Sequence, residues 1–303
     1  MPMESIMGQL SDVSRQLSEP HSLADSGSAK SDQQILTETG FFWRERNGVK
    51  VLVCRPLEEA GFVNGFSTRL GGVSAFPEGD LNLAGYDEDT ADNIEENRRR
   101  FLGVFDSKFK LTTVWQVHGD TIKIVRDAAD AADTNERADA VISDLAGMLA
   151  SVKTADCVPV LIADPVTGSY ATVHAGWRGT AGSIVSKAVR KMSDIYGARP
   201  KDLIAAIGPA AICRNYEIGQ DVIDAFSGFE DSDRYFTPTR SGHALVDLIA
   251  ANHDQLIGTG IARNKIFISP FCTMANTDLF FSYRIEKKKY GKTGRLLSVI
   301  GRR

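Results

Sequence analysis

Apolar and polar positions divide the chain into two regimes. Up to Gly40 the apolar residues are scattered, no Phe, Trp or Tyr occurs, and Ser, Asp, Gln and Glu predominate. Such a segment buries too little surface to offset its ordering entropy. It reads as a mobile polar leader over residues 1–40, with a short helix around Ser5 to Leu17. At Phe41-Phe42-Trp43 short apolar runs begin and recur to the end, so residues 41–303 read as the folded catalytic domain. Runs at 51–53, 65–68, 111–117, 121–125, 140–142, 149–152, 158–163, 170–174 and 203–207 have the length and residue types of strands. Residues 90–101, polar and ending in an Arg cluster, predict an exposed helix. Ile184, Val185, Ala188 and Met192 recur at helical spacing before a capping Gly197, and Asp247 can cap a helix that buries Leu248, Ile249 and Leu256. The predicted fold is α/β: a single layered domain with mixed β-sheets.

Composition narrows the partners. With 43% hydrophobic and 24% charged residues and a formal charge of −4, nothing points to nucleic acid or to an anionic membrane. No apolar run approaches the roughly 20 residues of a bilayer span, and no signal-peptide pattern opens the chain. Cys54, Cys157, Cys213 and Cys272 form no CxxC pair, which suits reduced thiols. The expectation is a cytoplasmic protein.

Candidate chemistry concentrates in two places, Trp115-Gln116-Val117-His118-Gly119 and the block from Thr154-Ala-Asp156-Cys157 through His174-Ala-Gly-Trp177-Arg178-Gly-Thr180. His118, Cys157 and His174 each adjoin an apolar run, where strand ends converge on clefts. Imidazole and thiolate together suit zinc, and three protein ligands leave the open fourth position of a catalytic site. The intervals match no short metal motif, so spacing alone leaves open two structural histidines and an inert buried thiol. Arg178 stands before a helix expected to begin near Gly179-Thr180, where it can bind phosphate or pair with a surface carboxylate.

At these residues the chain resembles a known family. The strings Gly65-Phe-Ser-Thr-Arg69-Leu-Gly-Gly-Val-Ser74, Gln116-Val-His118-Gly, Thr154-Ala-Asp-Cys157-Val-Pro, Val173-His174-Ala-Gly-Trp-Arg178-Gly-Thr, Ala206-Ile-Gly-Pro, Cys272-Thr273 and Phe280-Phe-Ser-Tyr-Arg284 look like the polyphenol oxidase (laccase) domain family. That family is also called the purine nucleoside phosphorylase family of the peptidoglycan-editing-factor type. The resemblance spans about residues 41–303 and implies a fold similar to the catalytic domain of cytotoxic necrotizing factor toxins. It implies a zinc or copper site on His118, Cys157 and His174. The implied activities are phosphorolysis of adenosine, inosine, guanosine and methylthioadenosine, and deamination of adenosine. Arg178 and Arg69 become candidates for phosphate, Gln116 and Cys272 for the substrate cleft, and Asp156 for proton transfer or ligand orientation, with a structural turn as the alternative for Asp156 and inert burial for Cys272. Two features depart from the family pattern: the leader, and Ile285 followed by an apparent insertion at 286–290. A multinuclear laccase centre is excluded by count, because of five histidines His21, His243 and His253 lie outside the motifs. Copper-dependent polyphenol oxidation at one metal stays open. So does a metal-free hydrolase acting in peptidoglycan editing, with Cys157 as nucleophile and His174 as base.

Overall fold

A computed structural model of the chain describes residues 31–75, 78–84, 89–105 and 108–303. The helix expected around Ser5 to Leu17 lies outside the described residues.

Two six-stranded mixed sheets stack face to face. The first runs in the order Phe41–Arg46, Val49–Cys54, Phe62–Ser67, Leu296–Arg302, Met148–Thr154, Lys110–Thr112. The second runs Ile266–Ile268, Ile204–Ile207, Val158–Ala163, Tyr170–Ala175, Ala140–Ser143, Ile122–Val125. The alternation of side chains explains the stacking. In the strand 158–163, Val158, Val160 and Ile162 face a core shared with the helices Ile184–Tyr196 and Leu248–Gly258, while Leu161 and Ala163 face the first sheet. In the first sheet, Leu52 and Cys54 point inward, whereas Val49, Val51 and Val53 pack outward with Phe101 of the helix Ala91–Leu102. The result is helix, sheet, sheet, helix: the expected layered α/β architecture with mixed sheets. A third sheet of Glu217–Gly219, His243–Val246 and Phe236–Arg240 stands beside these layers. Among the described residues no helix is long and apolar enough to cross a membrane.

The structure corrects two expectations and gives the surroundings of a third segment. The polar segment does not run unstructured to Gly40: Asp32–Thr39 is a helix with a capping box between Ser31 and Gln34 and a left-handed Gly40 cap. Ile35 and Leu36 are buried, Leu36 in the core between the sheets, which ties this helix to the folded domain. The run 111–117 is a regular strand only over Lys110–Thr112; beyond it Trp115 makes an isolated backbone bridge to Arg137 and Gln116 pairs through its side chain. The apparent insertion at 286–290 belongs to the helix Tyr283–Tyr290, capped by Ser282 and anchored by buried Glu286.

Candidate functional site

The segment carrying His118 is held as an irregular strand. Trp115 bridges Arg137, and the Gln116 amide imitates a backbone rung: its Nε2 donates to Lys153 O and its Oε1 accepts from Lys153 N, both at 2.7 Å. The chain then turns through a left-handed His118 (φ 57°). That turn leaves three amides without strand partners, and one carboxylate takes all three. Asp139 accepts from Val117 N at 3.2 Å, His118 N at 3.0 Å and Gly119 N at 2.7 Å. Glycine at 179 lets the loop close, because a Cβ there would lie 2.8 Å from Gly119 O.

Cys157 stands where the chain crosses from one sheet to the other, between the strands Met148–Thr154 and Val158–Ala163. His174 lies on the neighbouring strand, paired with Pro159. Its Nδ1 is 2.8 Å from Asp139 Oδ1, so Nε2 is left to face the site. The ligand atoms of His118, Cys157 and His174 all lie within 4.8 Å of one another, and the two rings meet edge to face at 4.9 Å. The electrostatics follow from this crowding. Burial opposes the Cys157 thiolate, but the two histidines outweigh it and bring the thiol down to about 6. Burial likewise opposes the His174 imidazolium, and Cys157 with Asp139 raises it to about 9. For Asp139, burial is outweighed by His174 and the loop amides, and its carboxyl sits below the ordinary range.

These residues fit a metal on their own geometry. Two imidazoles and a thiolate are a zinc-type donor set, and bonds of about 2.0–2.3 Å require donors roughly 3.5 Å apart, within reach of a small closure of the exposed His118. The centre is kept open by Gly176: a Cβ there would come to 3.2 Å from Cys157 Sγ, 3.4 Å from His118 Cδ2 and 3.8 Å from His174 Cε1.

A cleft of about 340 Å³ adjoins this cluster, in the size range of small-molecule sites of roughly 300–1,000 Å³. Trp177, one residue beyond Gly176, forms one wall; Tyr216, Glu217, Arg240, His243 and Arg284 form others. Arg284 lies over the Tyr216 ring at 4.8 Å and donates to Glu217 O at 2.9 Å. Burial and then the Cys157 charge push the Tyr216 phenol up to about 12, so it keeps its proton at neutral pH.

The structure distributes the sequence-predicted residues unevenly. His118, Cys157 and His174 converge. Arg178 is exposed, has no carboxylate partner among the described residues, and lies 4.0 Å over the Trp177 ring at the cleft wall. It is the second residue of the short helix Trp177–Ala181, so the helix begins at Trp177 and Arg178 lies in its first turn rather than ahead of it. Arg69, expected at phosphate, is 7% exposed and closed off by Asp80 and Glu286, with a further bond to Thr277 O. Gln116 has both amide atoms engaged with Lys153, as above. Cys272 is buried, and its Sγ accepts from Ile212 N and Asn215 Nδ2, each at 3.4 Å. Asp156, expected in proton transfer, has its carboxylate occupied by Thr273, Ser282 and the Arg284 amide. Sequence reasoning missed Asp139, Gly176, Tyr216 and Arg284 as site residues. The signal for Asp139 was an acid placed directly before an apolar strand; Gly176 and Arg284 stood in the quoted motif strings.

Residues 63–303 match the family described as multi-copper polyphenol oxidoreductase laccase. The purine nucleoside phosphorylase YlmD of Geobacillus stearothermophilus is 34% identical over 261 residues, covering 83% of this chain and 94% of that one. The purine nucleoside phosphorylase YfiH of Escherichia coli is 32% identical over 252 residues, with 83% and 98% covered. Among solved structures, the hypothetical protein YfiH of Bacillus licheniformis superposes with a TM-score of 0.79 at 30% identity, covering 87% of this chain and 99% of that one. YlmD from Geobacillus stearothermophilus gives 0.78 at 32%, with the same coverage. On these matches in sequence and fold, the chain belongs to the laccase-domain family that includes the YfiH-type purine nucleoside phosphorylases.

Proposed function

We propose that the chain is a zinc-dependent purine nucleoside phosphorylase, acting on adenosine, inosine, guanosine and methylthioadenosine, that also deaminates adenosine. The observation that carries this reading is the His118–Cys157–His174 cluster beside a cleft walled by Trp177, Tyr216 and Arg284. Relatives of this length and similarity are named for the phosphorolytic activity. Zinc held by the three side chains would supply Lewis-acid activation of an oxygen nucleophile at its open position.

The chain's own groups account for the remaining requirements. Trp177 and Tyr216 offer aromatic faces to a purine. The protonated Tyr216 hydroxyl can donate a hydrogen bond to the departing base, whose nitrogen gains charge as the glycosidic bond breaks. Arg284, with Arg178 at the cleft wall, offers planar charged donors for phosphate. Arg240 contributes less charge, since Glu217 pairs with it at 3.1 Å. Asp139 holds His174 with Nδ1 engaged and Nε2 forward.

The test is phosphate-dependent release of free base from inosine by protein purified without added metal. Activity should track zinc content and vanish in Cys157→Ala and His174→Ala. Arg178→Ala should weaken phosphate use while sparing metal content and, relatively, deamination. A second reading, a metal-free hydrolase with Cys157 as nucleophile and His174 as base, is favoured by the depressed thiol and the ion pair it forms. Full activity after complete chelation would select it over the zinc reading, and stoichiometric copper in place of zinc would select polyphenol oxidation.

A further inference from the structure

Asp156 immediately precedes Cys157 in a left-handed conformation, φ 85°, that non-glycine residues seldom adopt. It is 7% exposed, and every strong acceptor it has is occupied. Oδ1 accepts from Thr273 Oγ1 at 2.7 Å; Oδ2 accepts from Ser282 Oγ at 3.0 Å and Arg284 N at 2.7 Å; its carbonyl accepts from Ala211 N at 2.9 Å. These partners belong to three separate segments. One is 210–217, which carries Tyr216 and Glu217. Another is 282–286, which carries Arg284. The third is 272–273, which ties itself to the first through Cys272 Sγ and the bond from Thr273 N to Ala210 O. Both cleft walls opposite Trp177 therefore hang on the residue next to a member of the His/Cys/His cluster.

Three partners on one buried carboxylate exceed what a turn requires. An Asx turn would bond the side chain to a backbone amide two or three positions on, whereas every partner here is distant in sequence. Removal of the carboxylate would free Ser282, the cap of the helix that carries Arg284, and Arg284 N together. It would leave the direct supports of His118 and His174, which come from Asp139, in place.

We propose that Asp156 is a positioning residue that couples metal occupancy at His118, Cys157 and His174 to closure of the cleft walls carrying Tyr216 and Arg284. A metal that fixes Cys157 fixes the neighbouring backbone, and Asp156 transmits that order to both walls. The inference rests on the metal reading above, but its main test needs no nucleoside.

Amide hydrogen exchange of the full chain, chelated and zinc-loaded, reads the coupling directly. Zinc should slow exchange about five-fold or more in 211–217 and 282–286 of the wild-type protein. In Asp156→Ala the slowing of those segments should fall below about two-fold, while the slowing at 116–119 and 172–176 persists. Asp156→Asn, which tolerates the left-handed backbone and keeps one acceptor oxygen, should give an intermediate response. If Asp156→Ala does not fold, Ser282→Ala and Thr273→Val each remove one donor and should each reduce the response of the wall they serve. In the phosphorolysis assay, Asp156→Ala should raise the KM for inosine about ten-fold with a smaller change in kcat. Walls that respond to zinc equally with and without the Asp156 carboxylate, or do not respond in the wild type, overturn the proposal. A wild-type chain that shows the zinc response but no nucleoside turnover leaves the coupling standing and removes the phosphorylase reading; one that binds no zinc removes both.

Discussion

Asp139 Oδ1 and His174 Nδ1 lie 2.8 Å apart, and the same carboxylate gathers the amides of the loop that bears His118. One side chain thus orients two members of the cluster: His174 through its ring, His118 through its backbone. Asp139→Asn keeps the shape, loses the charge and presents an NH2 group where donors converge. We expect a fall in zinc affinity of about 10–100-fold, the range found when an outer partner of a ligating histidine is lost. Competition against a chelator of known affinity measures it, and an unchanged constant would show that Asp139 is not coupled to the metal.

Gly176→Ala should act on the centre without unfolding the protein. Its Cβ would press on Cys157 Sγ and His118 Cδ2 at 3.2 and 3.4 Å, while backbone φ at 176 is ordinary for alanine. Zinc per chain should drop well below one and activity with it, with the melting temperature of the chelated protein moving by no more than a few degrees. Metal analysis beside a thermal scan decides the matter.

The Cys157–His174 pair has a pH signature in the chelated protein. With the thiol lowered to about 6, the thiolate fraction rises as pH increases through 6, and at pH 7 most of Cys157 is ionised, against a few per cent for an ordinary thiol. A depressed thiol pKa contributes stability that is lost as pH falls through 6; the raised His174 contributes stability that is lost as pH rises through about 9. The pair therefore supports the chelated fold best between those limits. Alkylation of Cys157 by iodoacetamide at pH 7 should be about ten-fold slower in His174→Gln than in the wild-type chain, and zinc should protect the thiol. Equal rates in the two proteins would mean that His174 does not support the thiolate.

Two truncations separate the ends of the polar segment. A chain starting at Ser31 should keep full activity and melting temperature. One starting at Phe41 loses the helix Asp32–Thr39 and with it the burial of Ile35 and Leu36. At about 1.5–3 kcal/mol for each buried aliphatic side chain, the loss is roughly 3–6 kcal/mol, a fall of some ten degrees in melting temperature. Equal melting temperatures would show that this helix contributes nothing to stability.

Residues whose chemistry is intrinsic could be read from the sequence, and residues whose role comes from a distant partner could not. His118, Cys157 and His174 declare themselves as donors wherever they stand. The apolar run at 158–163 reads as a strand, as found, and the fold covers it on both faces. Arg69, flanked by glycines, looked like a phosphate ligand because its true partners, Asp80 and Glu286, are brought to it only by the fold. Gln116 misled for the same reason: an amide that imitates a strand rung has no local mark. Asp139 was overlooked because an acid before a strand is ordinary until its oxygens are seen to collect three amides and an imidazole.

The strand Leu296–Arg302 lies in the middle of the first sheet, between Phe62–Ser67 and Met148–Thr154. On the ribosome this ordering matters. All three members of the cluster have been synthesised by residue 174, yet the sheet that braces Gln116 against Lys153 remains two separate pieces until residues 296–302 emerge. A nascent chain stalled before that point presents two unpaired strand edges, open to wrong partners. A chain cut within residues 296–302 therefore forfeits the centre of the sheet and leaves its two halves unjoined.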